Sequence, residues 1–310
     1  MVKHPLTRHP ANPILTPDDM PFRCYTVMNS GATIFESKVL LLLRVEYCDR
    51  SQHFHTAVSE DGVRFNVNPQ EIIYPLSVTE EYMGPANRFD MRITKPEGED
   101  RYIVFHAAWM DGMGCGIGTA STTDFIHFTP IAHLSEPSNR NAVLFPEKID
   151  GWYVRLDRPQ DISDTGGMWV SYSKDLEFWG RSMPILLPKM AWYTTKCGAG
   201  CIPIKTEKGW LLIYHATATT CSTLNYYLGA MLVDLKTPYK IVAAPKEFIL
   251  AAEKDYECVG QTPNVVFTSG AVEMPDGTLN IYYGGADTRM CLAQTTVAEL
   301  VDYCLAGKQA

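Results

Sequence analysis

At 310 residues, 46% hydrophobic and 20% charged, the chain has the composition of a globular protein with a substantial buried core. Its formal net charge of -8 argues against general nucleic-acid binding, because affinity for the phosphate backbone needs a basic surface. No run reaches 18 apolar residues, so neither a membrane-crossing helix nor a membrane partner is expected.

The first fifteen residues, MVKHPLTRHPANPIL, lack the apolar segment of a secretory signal, and a cytoplasmic location is expected. Nine cysteines, scattered without a pairing frame, read as reduced and mostly buried thiols. Cys197 and Cys201 form an isolated C-x3-C, a weak metal signal, so no metal is expected.

In chain order, five β-rich runs follow polar turns: SKVLLLLRVE (37–46), DRYIVFHAAW (100–109), GWYVRLDRP (151–159), GWLLIYHAT (209–217) and GTLNIYYGGAD (277–287). Between them a second pattern recurs in AVSEDGVRF (57–65), ASTTDFIHF (120–128) and SYSKDLEFW (171–179). Each pairs an Asp with an aromatic four positions on: Asp61 with Phe65, Asp124 with Phe128, Asp175 with Trp179. A looser copy, MLVDLKTPY, carries Asp234 and Tyr239, and the four aspartates are 63, 51 and 59 residues apart. Only the tail, TTVAELVDYCLAG, offers a short helix.

Five strand-rich units of this length imply an all-β fold, a five-bladed β-propeller formed by one domain over 1–310 with short N- and C-terminal extensions. A pair of β-sandwiches is the alternative. Each of the five runs turns polar near its end: Arg44 and Glu46, His106, Arg155 with Asp157 and Arg158, His215, and Asp287. If these runs line the axis, those residues converge in a central funnel. Carboxylates, cations and aromatics together suit a sugar and an oxyanion. GMGCGIG (112–118) is followed by a strand-like segment and not by a helix, which argues against a dinucleotide site.

The segment NRFDMRITKPEG sets Asp90 between Arg88 and Arg92, with Lys95 close by. Its DMRIT (90–94), together with NSGA (29–32), RVE (44–46), NAVLFPEKIDGWYVRLDRP (141–159), SYSKDLEFWG (171–180), KCGAGCIPI (196–204), GWLLIYHA (209–216) and YYGGAD (282–287), resembles the β-mannoside phosphorylases of glycoside hydrolase family 130. The resemblance implies a five-bladed propeller. It also implies reversible, inverting phosphorolysis of a β-mannosidic bond, with inorganic phosphate as co-substrate, no cofactor, and α-mannose 1-phosphate as product. By position, Asp90 matches the proton donor, acting through a hydroxyl of the bound mannose. Asn29, Ser30, Arg44 and Asp287 match the mannose-holding residues; Arg140, Arg155, Lys196 and His215 match the phosphate-binding group. The acid's surroundings read F-D-M-R where the commoner form is E-D-P-R, which leaves the subgroup open. β-1,2-Mannobiose and short β-1,2-oligomannosides are the preferred substrates. Alternatives are a β-1,4-mannoside phosphorylase, a hydrolase on the same propeller, and a non-catalytic sugar-binding propeller. A homo-oligomer is compatible with these motifs.

The chemistry agrees with that parts list. An inverting hydrolase needs an acid on one face of the sugar and a base on the other. Phosphate is already an anionic nucleophile, so a cation pocket can replace the base.

Overall fold

The computed structural model describes residues 4–161, 163, 165–189, 192–221 and 223–307. A short strand β1 (Thr7–Arg8) comes first. The first blade is β2 (Thr26–Phe35), β3 (Lys38–Glu46), β4 (Gln52–Ser59) and β5 (Asn66–Val67). Helix α1 (Val78–Met83) leads into the second: β6 (Asn87–Thr94), β7 (Tyr102–Met110), β8 (Gly114–Thr122) and β9 (Phe128–Pro130). The third is β10 (Asn139–Leu144), β11 (Tyr153–Pro159), β12 (Met168–Ser173) and β13 (Gly180–Leu186).

The fourth blade has six strands. β14 (Lys196–Ala199) and β15 (Ile204–Thr206) both pair with β16 (Gly209–Thr219), followed by β17 (Leu224–Val233), β18 (Ile241–Ala243) and β19 (Leu250–Ala251). After α2 (Asp255–Cys258), the fifth blade is β20 (Val266–Glu273), β21 (Thr278–Gly285) and β22 (Arg289–Thr296), and β1 supplies its outer strand. The expected five-bladed propeller is therefore the fold, and its ring is closed by the N-terminus. Arg8 secures that closure by a two-pronged bond to fully buried Glu257, with Nε to Oε1 at 2.7 Å and Nη2 to Oε2 at 2.9 Å.

The apolar runs are continuous because both faces of each central strand are covered. Val39, Leu41 and Leu43 pack against Tyr282 and Leu292 of the fifth blade, while Leu40 and Leu42 pack against Met91, Ile93 and Val104 of the second. The Asp-aromatic repeat marks one turn, between the third and fourth strands of a blade. Asp61, Asp124 and Asp175 each accept two backbone N–H bonds from residues two and three positions on, and a Ser or Thr two positions back donates to the same carboxylate. Asp234 accepts the same pair from Lys236 and Thr237. The fifth blade takes its outer strand from the N-terminus, so it has no such turn to cap.

One expectation changes. The five β-rich runs are the second strands of the blades, not the innermost. The axis is lined by β2, β6, β10, β14 and β20, which begin the five sheets. Gly31 and Gly270 let these strands crowd together. A Cβ at Gly31 would lie 2.8 Å from the Met91 carbonyl oxygen, and one at Gly270 2.4 Å from the Ala32 nitrogen. The tail forms α3 (Val297–Ala306), capped by Thr296 and Glu299. No helix among the described residues is long and apolar enough to cross a membrane.

Candidate active site

Four of the five inner strands are bulged. The pairing register shifts between Met28 and Gly31 in β2, between Phe89 and Arg92 in β6, between Arg140 and Val143 in β10, and between Thr268 and Gly270 in β20. In three of them the bulge holds a left-handed residue: Asn29 at φ 47°, Asp90 at φ 55° and Asn141 at φ 59°. Asn and Asp tolerate that conformation better than other side chains, and a bulge re-aims the side chain it carries. An ordinary strand could not turn these groups inward at the same level of the ring.

Asn29, Arg44, Asp90 and Asp287 meet as expected. Asn29 Nδ2 donates to Asp90 Oδ1 at 3.2 Å and reaches Asp287 Oδ1 at 3.4 Å. Arg44 Nη1 donates to Asp90 Oδ1 at 3.1 Å, and its Nε is held by Gln52 Oε1 at 2.8 Å. Gln52 in turn donates to buried Glu46 at 2.7 Å. Desolvation raises the Asp287 pKa, opposed by the charge of Arg44. Ser30 neighbours this group, but its hydroxyl turns to the Met28 carbonyl and the Met290 sulfur, both at 3.4 Å.

A cationic wall forms on β10, β11, β14 and β16. Arg140 and Arg158 are directly paired across β10 and β11, and Gln160 Oε1 accepts from both, at 2.6 Å from Arg140 Nε and 3.5 Å from Arg158 Nη2. Like charges placed opposite one another are unfavourable in a sheet, and the Gln160 amide oxygen bridges the two guanidiniums. Arg158 Nη1 also donates to His215 Nε2 at 2.7 Å. An arginine cannot accept, so Nε2 is the unprotonated nitrogen. Burial and the nearby Arg158 hold the His215 pKa well below its ordinary value. His215 therefore orients a guanidinium and adds no charge of its own. A Cβ on Gly198 would touch both His215 (2.9 Å) and Arg158 (3.1 Å). Lys196, buried and two residues earlier on β14, shares that strand face.

Arg155 does not join this wall. Strand alternation puts it on the opposite face of β11 from Arg158, where it bonds Asp157 Oδ2 at 3.0 Å and stacks 4.3 Å from the Trp179 ring. It lines a cleft of about 300 Å³ between the second and third blades. His106 is likewise absent from the axis: its Nδ1 meets the Tyr74 hydroxyl at 3.3 Å between the first and second blades. Of the cations around Asp90, Arg88 pairs with Glu80 at 2.7 Å, and Lys95 lies over the Tyr102 ring at 5.3 Å.

Sequence reasoning missed two residues here and placed a third without a role. Arg158 stood in the list of polar strand ends, but Gln160 and Tyr226 carried no motif. The Tyr226 phenol is pushed up to about 12 by burial and by the charge of Asp287, with Arg158, Arg140 and Asp90 also acting on it, which places it between the two halves of the site. Among the buried side-chain atoms of the described residues that lack a hydrogen-bond partner, Asn29 Oδ1, Asn141 Oδ1 and Ser269 Oγ sit at the inner-strand bulges, while others, such as His106 Nε2, lie away from the axis. Orphaned polar atoms at the bulges are available to a polar ligand.

A family profile described as beta-1,4-mannooligosaccharide phosphorylase, of glycoside hydrolase family 130, matches residues 5–306. The chain belongs to glycoside hydrolase family 130. This family 130 chain is 37% identical to the beta-1,4-mannooligosaccharide phosphorylase of Ruminococcus albus, over 97% of this chain and 91% of that protein. It is 37% identical to a 1,2-beta-oligomannan phosphorylase of Thermoanaerobacter, over 75% of this chain and 74% of that one. Among solved structures, the beta-1,2-mannobiose phosphorylase of Listeria innocua in complex with beta-1,2-mannobiose superposes with a TM-score of 0.86. The two share 27% identity over 97% of this chain and 99% of that one.

Among the described residues of this family 130 chain, no group of three His, Cys, Asp or Glu side chains could hold a metal. Burial pushes the Cys197 and Cys201 thiols up to about 12.

Proposed function

We propose that the chain catalyses reversible, inverting phosphorolysis of β-mannosides by inorganic phosphate, giving α-mannose 1-phosphate and a shortened acceptor. The observation that carries this reading is the division of the site. Among the described residues, the carboxylates Asp90 and Asp287 gather around Asn29 and Arg44, whereas Arg140, Arg158 and Lys196 line the other wall. A hydrolase would need a base there; a cation pocket suits an anionic nucleophile.

In this reading a phosphate oxygen bonds to the anomeric carbon from the cationic side as the glycosidic C–O bond breaks. The departing oxygen receives a proton originating at Asp90, passed through a hydroxyl of the bound mannose. Asn29, Arg44 and Asp287 hold that mannose, with Ser30 contributing at most through its backbone. Arg140, Arg158 and Lys196 hold phosphate, and His215 and Gln160 orient the two guanidiniums. No cofactor takes part.

Short β-1,2-mannosides are the proposed substrates, consistent with the F-D-M-R sequence at the acid and the match to the Listeria structure. The near full-length match to the Ruminococcus protein favours a second reading, β-1,4-mannooligosaccharides. Incubation with phosphate and either β-1,2- or β-1,4-mannobiose separates the two by which one yields mannose 1-phosphate. Equal cleavage in phosphate-free buffer would replace the phosphorylase with a hydrolase. We propose a cytoplasmic setting, where inorganic phosphate is plentiful.

A further inference from the structure

Arg92 follows Asp90 by two residues on β6 and is 1% exposed, among the largest fully buried side chains. Its Nε donates to the Gly200 carbonyl at 2.7 Å, its Nη2 to the Ala199 carbonyl at 3.0 Å, and its Nη1 to the Asp90 carbonyl at 3.0 Å. Each donor nitrogen thus meets a carbonyl and none a carboxylate. The Phe267 ring lies 5.6 Å from the guanidinium carbon. Blades two and four are not neighbours in the ring, so the bonds from β6 to the end of β14 cross the axis.

A buried cation satisfied only by carbonyls is an expensive way to fill space, and an apolar side chain would fill it at less cost. The bulge supplies the reason for a guanidinium. The ladder between β6 and β7 jumps from Phe89–Ala107 to Arg92–Phe105, leaving the Asp90 carbonyl outside regular pairing. That carbonyl needs a donor, and so do those of Ala199 and Gly200 beside it. A planar guanidinium meets three acceptors in fixed directions; a lysine amine cannot impose the same geometry.

We infer that Arg92 is a positioning residue: it locks the left-handed bulge that presents Asp90 and sets it against the cationic wall of β14. It does not touch phosphate or mannose. The inference rests on Asp90 being the proton donor. Without the tether, the bulge is free to relax toward regular pairing, which would turn the Asp90 side chain out of the funnel.

The test uses Arg92→Met and Arg92→Lys in the full chain, with folding checked by circular dichroism and thermal unfolding, and kinetics in both reaction directions. In Arg92→Met, kcat should fall roughly 30- to 100-fold, while KM for phosphate and mannoside stays within about threefold, as expected of misplacement rather than lost binding. Arg92→Lys, which restores the charge but not the fork, should resemble Arg92→Met.

Four results would overturn the inference: a folded Arg92→Met with near wild-type kcat, an isolated rise in KM for phosphate, full recovery in Arg92→Lys, or failure of both variants to fold. The last would mean that the residue serves the ring rather than the acid. Asp90→Asn is measured alongside. If it keeps substantial activity, the acid assignment itself fails, whatever the Arg92 variants do.

Discussion

Arg155 and Arg158 lie three residues apart in one strand, yet their replacement by Gln should give opposite phenotypes. Arg158 belongs to the cationic wall, with Arg140 as its cross-strand partner and His215 at 2.7 Å. Losing one charge-assisted hydrogen bond to phosphate costs about 1.5–3 kcal/mol, so Arg158→Gln should raise KM for phosphate roughly 10- to 150-fold. Arg155 instead neutralises Asp157, whose side chain is 3% exposed. Removing one partner of a buried pair costs about 3–5 kcal/mol. With an unfolding entropy near 2.1 cal/mol/K per residue, a 310-residue chain has about 0.65 kcal/mol/K in total, so Arg155→Gln should lower the melting temperature by about 5–8 °C.

Initial rates against phosphate concentration, with calorimetry on the same preparations, read both effects. KM for phosphate should be unchanged in Arg155→Gln. The reasoning fails if Arg155→Gln raises that KM as much as Arg158→Gln does, because Arg155 would then reach the nucleophile despite its side of the strand.

Asp90→Asn should lose at least about 100-fold in both reaction directions with an unchanged melting temperature, since general acid catalysis contributes about 10²–10⁴-fold. A variant retaining a tenth of the wild-type rate would remove Asp90 from that role. Lys196→Ala should raise KM for phosphate and for mannose 1-phosphate while leaving binding of free mannose, followed by calorimetric titration, nearly unaltered. Arg8→Met should weaken ring closure by about 3 kcal/mol, because Glu257 stays buried but keeps its other donors; an unchanged denaturation midpoint would contradict this. Stability should also fall below neutral pH. His55, His106 and His215 are buried with depressed pKa values, His106 at about 3 against an ordinary 6.5. Below about pH 6.5 the unfolded chain binds protons that the folded chain refuses, costing about 1.4 kcal/mol per pH unit for each such histidine. Urea midpoints at pH 7.5 and 5.5 measure the effect, and His106→Gln should reduce the slope.

Blade number and boundaries were legible because two features repeat for physical reasons. The Asp-aromatic motif caps the same turn in four blades, and central strands buried on both faces read as unbroken apolar runs. Those same runs misplaced the axis. Inner strands such as NRFDMRIT, polar and bulged, and KCGA, only four residues long, carry little β propensity of their own. They are held by neighbouring blades rather than by their side chains. Taking the apolar runs as innermost moved His106 and Arg155 into the funnel, and neither belongs there.

The site's central device was present in the sequence in a form that cannot be read without register. Asn29, Asp90 and Asn141 occupy equivalent bulges in three successive blades, and all are residue types that accept a positive φ. Seen singly, each is an ordinary polar residue beside a strand. Only the pairing shifts reveal that the chain spends one extra residue in each of these three inner strands to turn a side chain inward. The fourth blade does without a bulge in β14, whose pairing with β16 is regular from Lys196 to Ala199. Its contribution is a lysine at the strand's start and two carbonyls at and just past its end, grasped by Arg92. Five similar blades therefore yield an asymmetric site: the bulged strands of blades one and two hold the carboxylate end, while the cationic end comes from blades three and four. Closing the ring brings those ends face to face, and a guanidinium across the axis keeps them in register.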